Sequence, residues 1–202
     1  MKKIFLISFL SSLLISSLYA DKKTYLGIEY ANAVTKFDAS GNYEGSPTDN
    51  YEEFKFVLGK GIGDNTFIQL YLSSGEYDSN FGAENAGLIL DDRKFKELGF
   101  EWMKKAHFED NIYPFAKVGL GISTLKLNRQ ITRTDNATAL SLTLGTGLDF
   151  NILDNLSLIT GIDYNYKKWD SFKIRDFSTG EDNQLKLSQN SLKFYIGANL
   201  KF

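Results

Sequence analysis

Apolar and polar residues alternate in eight separate stretches of this chain, which is the period of a β-strand with two chemically different faces. The stretches run over about 24–37, 51–63, 66–77, 94–106, 112–126, 138–151 and 156–168, with an eighth from Ser191 to Phe202. The sixth is the most regular. Leu140, Leu142, Leu144, Leu148 and Phe150 share one face, and Ser141, Thr143, Gly145, Gly147 and Asp149 share the other. In the last stretch Leu192, Phe194, Ile196, Ala198, Leu200 and Phe202 oppose Lys193, Tyr195, Gly197, Asn199 and Lys201. Gly63-Asp64-Asn65, Glu109-Asp110-Asn111 and Leu153-Asp154-Asn155 predict three tight links, because Asp and Asn tolerate turn geometry. The other links, about 38–50, 78–93, 127–137 and 169–189, are long and polar. Links that alternate long and short predict an all-β chain of eight antiparallel strands in up-and-down order, with both ends on one side.

Alternation alone leaves open whether the apolar face looks inward, as in a soluble barrel, or outward toward lipid. The glycines decide. Gly59, Gly99, Gly119, Gly121, Gly145, Gly147, Gly161 and Gly197 all fall in the polar set. An eight-stranded barrel is just wide enough for side chains to fill it, so missing side chains are useful inside. The polar face is therefore expected to line the lumen. It carries Glu29, Glu53, Glu97, Glu101, Asp149 and Asp163 against Lys55, Lys117, Lys193 and Lys201. Opposite charges in so narrow a tube should pair, which predicts a lumen polar network and argues against the open pore typical of barrels of about 16–18 strands. Tyr25, Tyr51, Phe67, Tyr113, Phe150, Trp169 and Phe202, near strand ends, are expected to form interfacial aromatic girdles.

The closing strand resembles that of bacterial outer-membrane β-barrels, whose alternating hydrophobics end on an aromatic residue, usually Phe. Phe194, Ile196, Ala198, Leu200 and Phe202 match that pattern without a gap. The resemblance implies an eight-stranded transmembrane β-barrel in the bacterial outer membrane, with both termini periplasmic and these five residues as the signal read by the barrel-assembly machinery. It implies outer-membrane lipid and lipopolysaccharide as surroundings and is weak about activity.

The start of the chain fits export. Lys2 and Lys3 precede an apolar, Ser-rich run from Ile4 to Leu18 and a small residue at Ala20, the pattern of a signal peptide spanning 1–20, which leaves 21–202 as one barrel domain. There is no cysteine, so neither a lipid-anchored cysteine nor a disulfide framework is expected. Past Ala20 no apolar run is long enough for a membrane-spanning helix. With 23 basic against 25 acidic residues the chain has no electrostatic reason to bind nucleic acid.

Candidate chemistry is sparse. His107, the single histidine, sits beside a tight link, so a transition-metal site or a serine nucleophile with a histidine base has little to work with. Glu97 and Glu101 share a strand face and read as ion-pair members rather than an acid/base pair. Asp91-Asp92 and Glu181-Asp182 match no dedicated calcium loop. No metal or cofactor is expected. In the longest link Trp169, Phe172, Ile174 and Phe177 lie among charges and either contact a host or envelope ligand or continue the strand pair above the membrane. The expected function is a non-enzymatic barrel anchoring surface loops for envelope integrity or adhesion. The alternatives are a small porin-like channel or transporter and, less favoured, a lipid A-modifying enzyme.

Overall fold

The computed structural model describes residues 24–41, 46–78, 90–127, 132, 134–175 and 182–202, with the backbone alone at 41 and 90–92. The leader assigned to 1–20, the side chains of Asp91 and Asp92, Phe177 and Glu181 lie outside the described residues. The strands are β1 (Thr24–Gly41), β2 (Thr48–Gly63), β3 (Thr66–Tyr77), β4 (Leu90–Lys105), β5 (Ile112–Leu127), β6 (Asn136–Leu153), β7 (Leu156–Trp169), β8 (Phe172–Arg175) and β9 (Asp182–Lys201). Each of β1 to β7 pairs antiparallel with its successor, except that β7 passes to β9, and β9 pairs with β1 to close the barrel. Eight strands form the wall. β8, the ninth, is a short strand paired to the upper part of β9, from Phe172↔Leu185 to Arg175↔Asp182.

Closure can be followed residue by residue. Stepping across the ladders from Tyr25 to Gly59, Gln69, Glu101, Gly119, Thr143, Asn165 and Ser191 returns to β1 at Thr35, a shear of 35 − 25 = 10 residues. Such a stagger tilts the strands, so inward residues far apart in sequence spiral past one another inside the barrel. The Asp64-Asn65 and Asp154-Asn155 links are two-residue turns, and Asn65 takes the left-handed φ of 55° that Asn tolerates. The third turn-side link runs over 106–111, longer than expected, because β4 ends at Lys105; Ala106 N–H still donates to the Pro114 carbonyl, and Phe108 and Glu109 meet Ile112 around the Asp110-Asn111 tip.

Through the middle of the wall the apolar set faces out. Leu140 is 70% exposed, and Leu142, Leu144, Phe56, Phe100, Phe194 and Ile196 are likewise on the outer surface. Toward the long-loop end the phase reverses while the ladders stay in register across the switch; the β4–β5 irregularity, between Leu90 and Phe95, lies above it. On β9, Leu185 and Leu187 point inward and are buried while Gln184 and Lys186 face out, yet eight residues on Leu192 and Phe194 are the outward ones. The same reversal occurs on β4, where Phe95 is inward and Lys94 and Lys96 outward, and on β5, where Leu125 and Leu127 are inward and Lys126 outward. A strand that is greasy outside at one level and greasy inside at the next crosses from an apolar surrounding into water between them.

Candidate functional site: a sealed lumen beneath a raised collar

Above the reversal the strands form a collar with its own core: Phe37, Tyr51, Tyr77, Phe95, Trp169 and Leu187 converge with Phe172 and seven aliphatic neighbours. Tyr51, Tyr77 and Phe95 pack as a triangle of rings, with centroids 5.2–5.4 Å apart. Such offset and edge-on pairs add to the burial energy. At the lower edge of this core Gln189 accepts from Tyr77 Oη at 2.9 Å and from Trp169 Nε1 at 3.3 Å. Phe172 and Ile174 on β8 complete the core from the side. The expectation of a wholly polar interior is therefore corrected: the lumen is apolar at this end because the wall there stands in water and needs an inside to fill.

The aromatic girdle is corrected as well, at four of its seven expected members. Tyr25, Tyr51 and Trp169 are buried inside and Phe67 packs inward against Tyr25, since all four share the parity of the lumen residues. Being near a strand end does not decide which face a side chain takes. Trp169, Phe172 and Ile174 are likewise buried rather than displayed to a ligand, so the longest link continues the strand pair upward.

Below the collar lies the ion network. Glu29, Glu53, Lys55, Glu97, Glu101, Lys117, Asp149, Asp163 and Lys193 all lie on the inward face and are buried. Lys55 bridges Glu101 at 2.7 Å and Glu29 at 3.3 Å. Lys117 continues the chain to Asp163 at 3.0 Å and Glu101 at 3.6 Å, and Lys193 holds Glu53 at 3.3 Å. Sequence reasoning missed two cations. Lys167 pairs with Glu97 at 2.7 Å, and Lys105 pairs closely with Asp149. Parity was the available signal, because Lys105 lies four residues after Glu101 and Lys167 four after Asp163 on the same face. Glu97 is the most fully satisfied group, accepting also from Tyr71 at 2.6 Å, Ser123 at 2.5 Å and Ser141 at 2.8 Å. Four of the lysines also rest on rings: Lys55 on Tyr71, Lys105 on Phe67, Lys117 on Tyr195 and Lys167 on Phe95, at 4.0–4.6 Å from the centroids.

Glycine makes this crowding possible at defined points. A Cβ on Gly145 would collide with Asp163 Oδ1 and come within 2.8 Å of Lys117 Cε, and one on Gly121 would come within 2.7 Å of Glu97, Tyr71 and Ser141. Gly145→Val is expected to push Asp163 and Lys117 apart and to cost about 1–3 kcal/mol or more, the usual range for overpacking, read as a lower denaturant midpoint of the refolded barrel. The space left around Glu29, Glu53, Lys55, Asp163 and Lys193 is about 10 Å³, room for roughly one water.

Among the described residues, two larger cavities flank this zone. A crevice of about 870 Å³ opens in the outer wall where β7 leaves β9 after Lys168↔Ser188 and bends toward β6 through an Asp170 N–H to Thr138 carbonyl bond. It reaches from lipid-facing Leu140, Leu142 and Tyr166 past Lys168 to the collar residues Trp169 and Leu187. The other cavity, about 200 Å³, lies at the tight-turn end. His107 is exposed at that same end, edge-on to Tyr113. Among the described residues no group of three or more His, Cys, Asp or Glu side chains is arranged to hold a metal ion.

The family model described as "Outer membrane protein beta-barrel domain" matches residues 5–202. Among solved structures, the chain is similar to Neisserial surface protein A, with 18% identity and a TM-score of 0.59 over 89% of this chain and 97% of that one. It is also similar to the outer membrane protein OprG from Pseudomonas aeruginosa, with 14% identity and a TM-score of 0.53 over 91% and 98% of the two chains. At these identities the likeness is one of fold. No curated protein sequence matches the chain.

Proposed function

This chain belongs to the outer-membrane β-barrel family, and on that premise we propose that it is a non-enzymatic barrel of the bacterial outer membrane whose sealed wall anchors a surface collar and its loops for envelope integrity or adhesion. The observation that carries this reading is the phase reversal: Leu185, Leu187, Phe95, Leu125 and Leu127 build a water-facing extension with its own core on top of a lipid-facing cylinder. In the orientation usual for such barrels the tight turns and both termini face the periplasm and the collar faces outside. Residues 1–20 act as the leader, and Phe194, Ile196, Ala198, Leu200 and Phe202, which lie along the outward face of β9 and just beyond it, act as the signal for the barrel-assembly machinery. Exposed Lys36, Lys94, Lys96, Lys126 and Lys168 ring the level of the reversal, where the phosphates of lipopolysaccharide would lie. The loops are where a host or envelope ligand would bind.

The buried, ion-paired interior supports a closed lumen over a channel. Purified refolded protein should show heat-modifiable gel migration and no steady single-channel conductance in a planar bilayer. A steady conductance would overturn the anchor reading, and lipid A whose mass spectrum depends on the gene would replace it with an enzyme. Phe202→Ala should reduce the barrel recovered in the membrane fraction if the closing strand is read as proposed.

The wall crevice favours one second reading, sideways passage of amphiphiles between lipid and the collar. It predicts that Leu142→Trp, which narrows the crevice, slows uptake of a spin-labelled fatty acid by vesicles containing the barrel, an effect a pure anchor would not show.

A further inference from the structure

At the tight-turn end the interior opens into the second cavity, about 200 Å³, lined by Tyr25, Phe67, Lys105, Tyr113, Asp149 and Lys201, together with Asn65 and Asn151. These residues take no part in the collar. The walls are aromatic, and Tyr25 and Phe67 meet edge-on at 5.9 Å. Lys105 holds its ammonium 4.4 Å from the centre of the Phe67 ring and pairs closely with Oδ2 of Asp149. The other oxygen, Oδ1, accepts no hydrogen bond from any of the described residues, although Asp149 is 1% exposed. Lys201, half-buried, donates to Asn151 Oδ1 and, among the described residues, has no carboxylate within ion-pair distance.

A buried carboxylate oxygen without a donor is costly, and so is a partly desolvated ammonium without an anion. Two ammoniums and one carboxylate leave the cavity with a single surplus positive charge. A plain anion would satisfy Lys201 but leave Asp149 Oδ1 unmet and repel it. A plain cation would reach Oδ1 but be repelled by both lysines. A molecule carrying both charges on adjacent atoms satisfies each group at once.

We propose that this mouth binds a free α-amino acid as its zwitterion, with its carboxylate between Lys201 and Lys105, its ammonium donating to Asp149 Oδ1 and an apolar side chain against Tyr25, Phe67 and Tyr113. The volume suits a side chain of leucine to phenylalanine size. In the proposed orientation the ligand arrives from the periplasm, though the binding itself does not depend on which way the barrel faces.

The test uses the full mature barrel refolded in detergent micelles, with the side-chain amide resonances of Asn65 and Asn151 as reporters. L-phenylalanine should shift them saturably. Phenethylamine, which lacks the carboxylate, and 3-phenylpropionate, which lacks the ammonium, should each bind at least about tenfold more weakly, as loss of one charge-assisted hydrogen bond predicts. Lys201→Gln, at a half-exposed position, should keep heat-modifiable migration and weaken L-phenylalanine by roughly tenfold. Asp149→Asn should do the same, and if that chain does not fold, Lys201→Gln and the two truncated analogues still decide. Absence of a saturable shift with L-phenylalanine, equal binding of either analogue, or unchanged affinity in Lys201→Gln would each overturn the proposal.

Discussion

Replacing Lys117 with methionine should destabilise the barrel by about 3–5 kcal/mol, the cost of removing one member of a buried ion pair and leaving its partner charged. The side chain is wholly buried and ties two walls together, reaching Asp163 on β7 at 3.0 Å and Glu101 on β4 at 3.6 Å, with its ammonium 4.3 Å from the Tyr195 ring. Methionine keeps the length and removes the charge. Around it Glu29, Glu53, Glu101 and Asp163 already outnumber Lys55, Lys117 and Lys193, so losing a cation deepens an existing imbalance. Denaturant unfolding of the refolded barrel, followed by gel migration, reads the change. The double variant Lys117→Met, Asp163→Asn should recover most of the loss, because it removes the stranded charge along with its partner. A single variant within 1 kcal/mol of wild type, by the range usual for exposed pairs, would show that the interior is wetter than its burial implies.

Phe95→Ala should act on the other half of the molecule. Phe95 is fully buried at the centre of the collar, against Tyr51 at 5.2 Å and Tyr77 at 5.3 Å, and its ring lies 4.0 Å from the Lys167 ammonium. Truncating a buried phenylalanine costs about 3–5 kcal/mol, since both transfer energy and packing around the cavity are lost. The expected signature is spatially uneven. Limited proteolysis should cut the strands above the reversal while the lipid-embedded part remains protected, and conductance should stay absent because the Lys55, Lys117 and Lys193 ion pairs beneath make no contact with Phe95. If protease sensitivity rose equally along the whole chain, the collar would not be a separately stabilised unit.

These two sites differ in how far they can be read from the chain. Leu140, Leu142 and Leu144 face outward and Lys117 and Asp149 inward, as glycine's confinement to one parity predicts. The Asp-Asn pairs mark the turns because their backbone preferences are local. The collar core was also visible in principle: Leu185 and Leu187 fall on the parity opposite to Leu192 and Phe194, a switch within one strand that a search for uninterrupted alternation passes over. The same rule places Tyr25 with Gly27 and Glu29, inside rather than in a girdle, and puts Lys105 and Lys167 in the lumen. β8 was harder to read, because a four-residue strand owes its existence to pairing with β9 and to burial of Phe172 and Ile174.

What the chain determines by itself is which face each side chain takes, since a period of two is set by the residue's own backbone and needs no partner. Which residues then meet is decided by closure. Lys55 finds Glu101 and Lys117 finds Asp163 two strands away because a shear of ten winds distant inward positions past each other across a lumen narrow enough for ammonium and carboxylate to touch.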